Sequence, residues 1–146
     1  MTTTQMTMQP ILIVEDESDI AEFLTQILSE IMPYPILPLP SARDALEAVR
    51  SIKPSLFLLD YRLPDSDGLA LSDRLHATKG LEAVPTLMMS ASPPPHQEMQ
   101  KRHITFLPKP FDISDLLEVI ADLLPKEEAE EPGVTSGIVV SGRMYE

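Results

Sequence analysis

The chain has 146 residues, 43% of them hydrophobic, which suits one compact domain with short extensions. No apolar run reaches the length of a membrane span, the first ten residues hold no signal-like stretch, and the lack of cysteine excludes disulfide and thiolate chemistry. Twenty-three acidic against 11 basic residues leave a net charge of −12, which speaks against direct nucleic-acid binding, and the chain reads as soluble and cytoplasmic.

Residues 1–9 are expected to be a disordered extension, with the folded unit at 10–125. The apolar run 11–14 is short and continuous, as in a strand buried on both faces of a parallel sheet covered by helices. Ile20, Phe23, Leu24, Ile27, Leu28 and Ile31 recur at helical spacing, with Ser18 as the cap and Pro33 as the stop. Residues 36–39 form a weaker second strand. Pro35, Pro38 and Pro40 remove ladder donors there, which places it at an edge. Ser41 opens a second helix with Asp44 at its third position and Ala45, Leu46, Val49 and Ile52 as its stripe. Runs 56–59, 84–89 and 104–107 supply three more strands, and Leu71 and Leu75 mark the helix between the first two of these. Residues 92–103 begin with three prolines and then hold almost no apolar residue besides Met99, so a fourth helix is expected to be short and weakly anchored. Asp112 starts the last helix, with Ile113, Leu116, Leu117, Ile120 and Leu124 on its buried face. Five alternations of strand and helix predict a doubly wound α/β domain with a five-stranded parallel sheet.

In such a sheet the site forms beyond the carboxyl ends of the strands, where chain order reverses. The first strand runs into Glu15-Asp16-Glu17 and the third into Asp60. If the strand order is 2-1-3-4-5, these strands are neighbours, and Glu15, Asp16 and Asp60 converge. Carboxylates packed this closely repel one another and call for positive charge. Mg2+ is the natural partner, since it takes one or two protein carboxylates and shares phosphate oxygens. Lys109 adds an ammonium past the fifth strand and Ser90 a hydroxyl past the fourth. Phosphoryl transfer needs such positioning and charge neutralisation, and carboxylates are known nucleophiles.

These residues stand in Ile11-Leu12-Ile13-Val14-Glu15-Asp16-Glu17, in Leu58-Leu59-Asp60-Tyr61-Arg62-Leu63-Pro64-Asp65-Ser66-Asp67-Gly68, in Ser90-Ala91 and in Lys109-Pro110-Phe111. In this order they resemble the receiver domains of two-component signalling, over roughly residues 10–125. The resemblance implies a flavodoxin-like fold of order 2-1-3-4-5. It implies Asp60 as phosphoacceptor, with the donor a phosphohistidine on a sensor histidine kinase or histidine phosphotransfer protein. Asp16 and Asp60 would ligate Mg2+, Glu15 would act through water, and the Arg62 backbone carbonyl would complete the protein ligands. Ser90 and Lys109 would hold phosphoryl oxygens, Ser90 and Phe106 would form the switch pair, and Lys109–Pro110 would be cis. Such a chain is a phosphorylated signalling domain, with only self-catalysed transfer and slow autodephosphorylation.

Asp65 and Asp67 read as loop and cap residues around Gly68, and Glu17 as a charge favouring the next helix. Ser90 and Lys109 stand 19 positions apart, fewer than is usual in the family, which shortens the fourth helix. Residues 126–146 read as an acidic linker or tail, with a docking peptide as the alternative. A phosphorylation-independent pseudo-receiver and an excised receiver of a hybrid kinase or larger regulator are the competing readings. A phosphohydrolase of the haloacid-dehalogenase kind would place its nucleophile in Asp-x-Asp after the first strand, where this chain reads Glu15-Asp16-Glu17.

Overall fold

A computed structural model describes residues 8–125; most of the expected N-terminal extension and all of the acidic tail lie outside the described residues. The elements are β1 (Ile11–Val14), α1 (Ser18–Ile31), β2 (Ile36–Leu39), α2 (Ala42–Ala48), β3 (Leu56–Asp60), α3 (Gly68–His76), β4 (Thr86–Ser90), α4 (His96–Lys101), β5 (Thr105–Pro108) and α5 (Ile113–Leu123). The strands pair in parallel in the order β2-β1-β3-β4-β5. Every residue of β1, β3 and β4 is buried. That is why the middle of each of these strands appears in the sequence as a continuous apolar stretch rather than an alternating one.

The period of two then sorts the side chains into two cores. Leu12, Val14, Phe57, Leu59 and Met88 face Ala42, Ala45, Leu71, Leu75 and Met99 of α2, α3 and α4. Ile11, Ile13, Leu56, Leu58, Leu87 and Met89 face Leu24, Leu28, Leu116 and Ile120 of α1 and α5. On α5 the expected face is found, with Ile113 and Leu117 half-buried at its margin. On α1 only Leu24 and Leu28 are fully covered, and Phe23 and Ile31 are 52% and 56% exposed. The apolar stripe of α1 is therefore wider than the strip the sheet can cover.

Local capping follows the sequence in part. Ser41 is the N-cap of α2, its Oγ accepting from the Asp44 N–H at 3.1 Å. For α1 the expected cap is corrected: Glu17 holds the N-cap position without a side-chain bond, and Ser18 is the first helical residue. Glu17 instead donates its N–H back to Glu15 Oε2 at 3.1 Å, which draws the helix start against the end of β1. At the far end of α3, the His76 ring bridges to the start of β4. Nδ1 lies 2.8 Å from the Ser72 carbonyl and Nε2 lies 2.9 Å from the Val84 carbonyl, and the ring meets Phe57 edge-on.

The fourth helix is short, as expected, spanning six residues. It is not weakly anchored. Met99 is buried, and the Arg102 guanidinium grips Asp73 of α3 through Nε (2.7 Å) and Nη2 (3.0 Å) while Nη1 reaches Glu98 (3.0 Å). A two-pronged guanidinium–carboxylate pair is the geometry in which a surface ion pair contributes measurably. The Arg102 bonds hold the carboxyls of both Asp73 and Glu98 below the usual range. Their contribution is thus complete above the ordinary carboxylate value and is lost as pH falls through the lowered ones. Asp73→Asn is expected to speed amide exchange in α4 by about fivefold at neutral pH. The difference from wild type should vanish in acid, as hydrogen exchange can show.

Candidate functional site

The carboxyl ends of β1, β3, β4 and β5 open on one crevice of about 400 Å3, lined by Glu15, Asp16, Asp60, Arg62, Ser90, Ala91, Ser92 and Lys109 among others. Pairing of β1 with β3 aligns Val14 with Leu59, so the residues that follow each, Glu15 and Asp60, emerge side by side. Asp16, one residue further, is exposed at the rim. Ligand oxygens of Glu15, Asp16 and Asp60 lie within 4.8 Å of one another. Lys109 Nζ donates to Glu15 Oε1 at 3.2 Å and to Asp60 Oδ1 at 3.4 Å. Its backbone is held by the Lys109 N–H, which donates to the Ser90 carbonyl at 2.9 Å, and the Lys109–Pro110 bond is cis.

The electrostatics are those of crowded, half-desolvated acids. Glu15 is 2% and Asp60 8% exposed. Desolvation, with the Asp60 charge added, holds the Glu15 carboxyl above its ordinary range despite the Glu17 amide and Lys109. For Asp60, desolvation outweighs the attraction of Lys109, so this carboxyl too is raised. Burial works against the Lys109 ammonium, but Asp60 and Glu15 together carry its proton affinity above the ordinary lysine value. Glu15 and Asp60 thus share the Lys109 ammonium, with the Asp16 carboxylate beside them. All-oxygen donors with uncompensated negative charge fit a hard divalent cation such as Mg2+.

The remaining predicted residues fall around this centre. Ser90 Oγ donates to the Ser92 carbonyl at 2.7 Å and accepts from the Ser92 N–H at 3.1 Å, so its hydroxyl is engaged within the β4–α4 loop. Phe106 is half-buried on β5 and packs against the α2–α3 side of the core. Asp67 caps α3, accepting from the Ala70 N–H at 2.8 Å. Asp65 turns away from the crevice, and its oxygens accept from the N–H groups of Ala42 and Arg43. Neither that link nor the Arg102–Asp73 clamp carries a local signal, because each joins residues more than 20 positions apart. A larger hollow of about 750 Å3 lies at the opposite end of the sheet, beside His76, Asp73 and Arg102. Its Asp73 and Arg102 are already paired with each other, and it contains no comparable carboxylate cluster.

Fold and crevice together define a doubly wound α/β domain with an acidic site where β1 and β3 diverge. The chain belongs to the response regulator receiver family: the family model for the response regulator receiver domain matches residues 11–121. It is thus a receiver domain of two-component signalling, a signalling domain rather than a conventional enzyme. It is 27% identical over 136 residues to the phosphate regulon transcriptional regulatory protein PhoB of Pseudomonas aeruginosa, covering 89% of this chain and 59% of that protein. To the positive alginate biosynthesis regulatory protein of the same organism it is 33% identical over 118 residues, 75% of this chain and 45% of the relative. The chain spans between 22% and 59% of the length of such curated relatives. Among solved structures, the chemotaxis protein CheY4 of Vibrio cholerae superposes with a TM-score of 0.74 at 22% identity, covering 81% of this chain and all of that one. The signal receiver domain of a histidine kinase from Syntrophus aciditrophicus gives 0.73 at 26% identity, covering 90% of this chain and all of that one. No helix among the described residues is long and apolar enough to cross a membrane.

Proposed function

We propose that Asp60 takes a phosphoryl group from a phosphohistidine of a sensor histidine kinase or histidine phosphotransfer protein, with Mg2+ required. The observation that carries this reading is the convergence of Asp60 with Glu15, Asp16 and Lys109 in one crevice. An Asp60 oxygen forms the new bond to phosphorus while the phosphorus–nitrogen bond of the donor breaks. The electron pair returns to the imidazole nitrogen, which takes up a proton, and the product is an acyl phosphate on Asp60. Asp16, Asp60 and the Arg62 carbonyl would hold Mg2+, with Glu15 reaching it through water; the ion supplies charge neutralisation between carboxylates and phosphoryl oxygens. Lys109, now on Glu15 and Asp60, transfers its hydrogen bonds to a phosphoryl oxygen. Ser90 turns its hydroxyl from Ser92 to another, and Phe106 follows it.

Residues 10–125 are the receiver unit in this reading, with 1–9 and 126–146 as flanks. The domain works in the cytoplasm, and the net charge of −12 on the whole chain favours output through protein contact over nucleic-acid contact. Retention of Asp16, Asp60, Ser90 and Lys109 together argues against a pseudo-receiver. Incubation with Mg2+ and beryllofluoride tests the reading. A bound fluoride signal in fluorine NMR that requires Mg2+ is expected, and its absence would refute the proposal.

The donor has a landing place beside the site. Exposed Phe23, with Ile20, Pro110, Phe111 and Ile113, lines an apolar hollow of about 640 Å3 that also touches Lys109. Phe23→Asp is expected to slow transfer from a cognate phosphohistidine protein by about tenfold, the loss typical of an aromatic anchor. Phosphorylation by acetyl phosphate, which needs no docking, should be unchanged. Equal effects on both donors would place the defect in the site instead.

A further inference from the structure

The loop between β3 and α3 carries Arg62, which lines the acidic crevice. Its two ends are fixed to the sheet and to each other: the Tyr61 N–H donates to the Met89 carbonyl at 2.9 Å, and the Gly68 N–H to the Tyr61 carbonyl at 2.7 Å. Between them the turn is held by a Leu63 N–H bond to the Ser66 carbonyl at 3.2 Å, by an antiparallel backbone pairing of Arg62 with Asp67 and by Leu63 resting on the core. Asp65 ties this turn to a different element. Its Oδ1 accepts from the Ala42 N–H and its Oδ2 from the Arg43 N–H, both at 3.0 Å. Ser41 Oγ takes the Asp44 N–H, so the three leading N–H groups of α2 are all matched, two of them by this single carboxylate. A helix leaves these groups without partners of its own, and a carboxylate is the strongest acceptor they can meet. The anchor is firm, because Ala42, Ala45 and Val49 bury this end and face of α2 in the core.

We propose that Asp65 is a positioning residue for the cation: by clamping the turn onto the start of α2, it fixes where the Arg62 carbonyl meets the crevice of Glu15, Asp16 and Asp60. The proposal rests on the reading that this crevice binds Mg2+. Asp65 ligates nothing in this scheme; it acts through the backbone three residues earlier. Outer partners that orient a ligand typically change metal affinity by about tenfold or more when removed. The effect should also depend on the ion, because Mg2+ demands near-ideal octahedral geometry and Ca2+ tolerates irregular coordination.

Calorimetric titration of the full chain with Mg2+ and, separately, with Ca2+ tests this, alongside thermal unfolding of each variant. Asp65→Ala is expected to raise the Mg2+ Kd by about tenfold and the Ca2+ Kd by about threefold or less. Asp65→Asn, neutral but retaining one acceptor oxygen, should fall between wild type and Asp65→Ala for Mg2+. Ser41→Ala loosens the same helix end without touching Asp65 and should leave Mg2+ affinity unchanged. Equal weakening of both ions would make Asp65 a remote charge and overturn the proposal. So would weakening by Ser41→Ala as large as by Asp65→Ala, or unchanged Mg2+ affinity in Asp65→Ala. Failure of the wild-type chain to bind Mg2+ would overturn the reading of the site itself, a distinct outcome.

Discussion

Asp60→Asn is expected to abolish phosphorylation by acetyl phosphate and at the same time to stabilise the metal-free protein at neutral pH. Loss of the acyl phosphate follows from loss of the nucleophile, since Asp60 is the carboxylate of the crevice that stands at the end of β3. The gain in stability follows from the raised carboxyls. Asp60 and Glu15 both hold protons more tightly in the folded chain than in the unfolded one. Between the ordinary carboxylate value, about 4, and the raised folded values, the folded state therefore binds more protons. Stability falls as pH rises through that window, and the penalty is complete once pH exceeds the raised values. Removing one charge relieves it. Lys109 offsets part of the repulsion and the crevice is open to water, so the gain is about 1 kcal/mol, or about 3–6 °C in Tm for a domain of this size. The gain should shrink as pH falls into the carboxylate range. Mg2+ should raise the Tm of wild type but hardly that of Asp60→Asn. Thermal unfolding across pH, with and without Mg2+, checks all three statements. An adduct that survives Asp60→Asn would reassign the phosphoacceptor.

The second large effect is structural in cause and functional in reach. Gly68 opens α3 directly beneath the end of β3. A Cβ added there would overlap Met88 Sδ and come 2.9 Å from the Asp60 carbonyl oxygen. The methionine is fully buried and the carbonyl belongs to the backbone, so neither yields freely. Gly68→Ala is expected to cost about 1–3 kcal/mol of stability, the usual penalty of overpacking, even after the small benefit of a less flexible unfolded chain. The displaced backbone is that of Asp60, so Mg2+ affinity should fall along with stability. Denaturant titration and metal titration read the two effects separately. Wild-type values in both would mean that the β3–α3 junction gives way more easily than its packing implies.

How much of this was legible in the residues depends on how far apart the interacting groups lie. Strands β1, β3 and β4 declare themselves because burial on both faces keeps the interior of each strand apolar and leaves polar residues to the strand ends. The crevice was legible for a related reason: each strand that reaches it ends on a polar group, Glu15, Asp60, Ser90 or Lys109, that the interior of the strand would not tolerate. Ser41 was readable as a cap because its partner stands three residues on. Ser18 misled, because a helix start can be fixed by the preceding backbone, here the Glu17 N–H on Glu15, without a hydroxyl. Phe23 and Ile31 misled for a geometric reason: periodicity marks an apolar stripe but not its covered width. The grip of Arg102 on Asp73 and of Asp65 on α2 joins positions 29 and 23 residues apart. Only the fold brings them together, so a helix that reads as loose is in fact clamped.

Prolines on the outer strands have one more effect. The sheet ends on β2 at one side and β5 at the other, each four residues long, with Pro38 in the first and Pro108 in the second. An edge strand ordinarily offers a ready template on which another chain can lay down a strand of its own. Here each template is short and interrupted by a residue that lacks a donor and obstructs an incoming backbone. The central strands, apolar enough to aggregate if uncovered, are thus flanked by edges that do not propagate, which guards a crowded cell against cross-chain pairing of this domain.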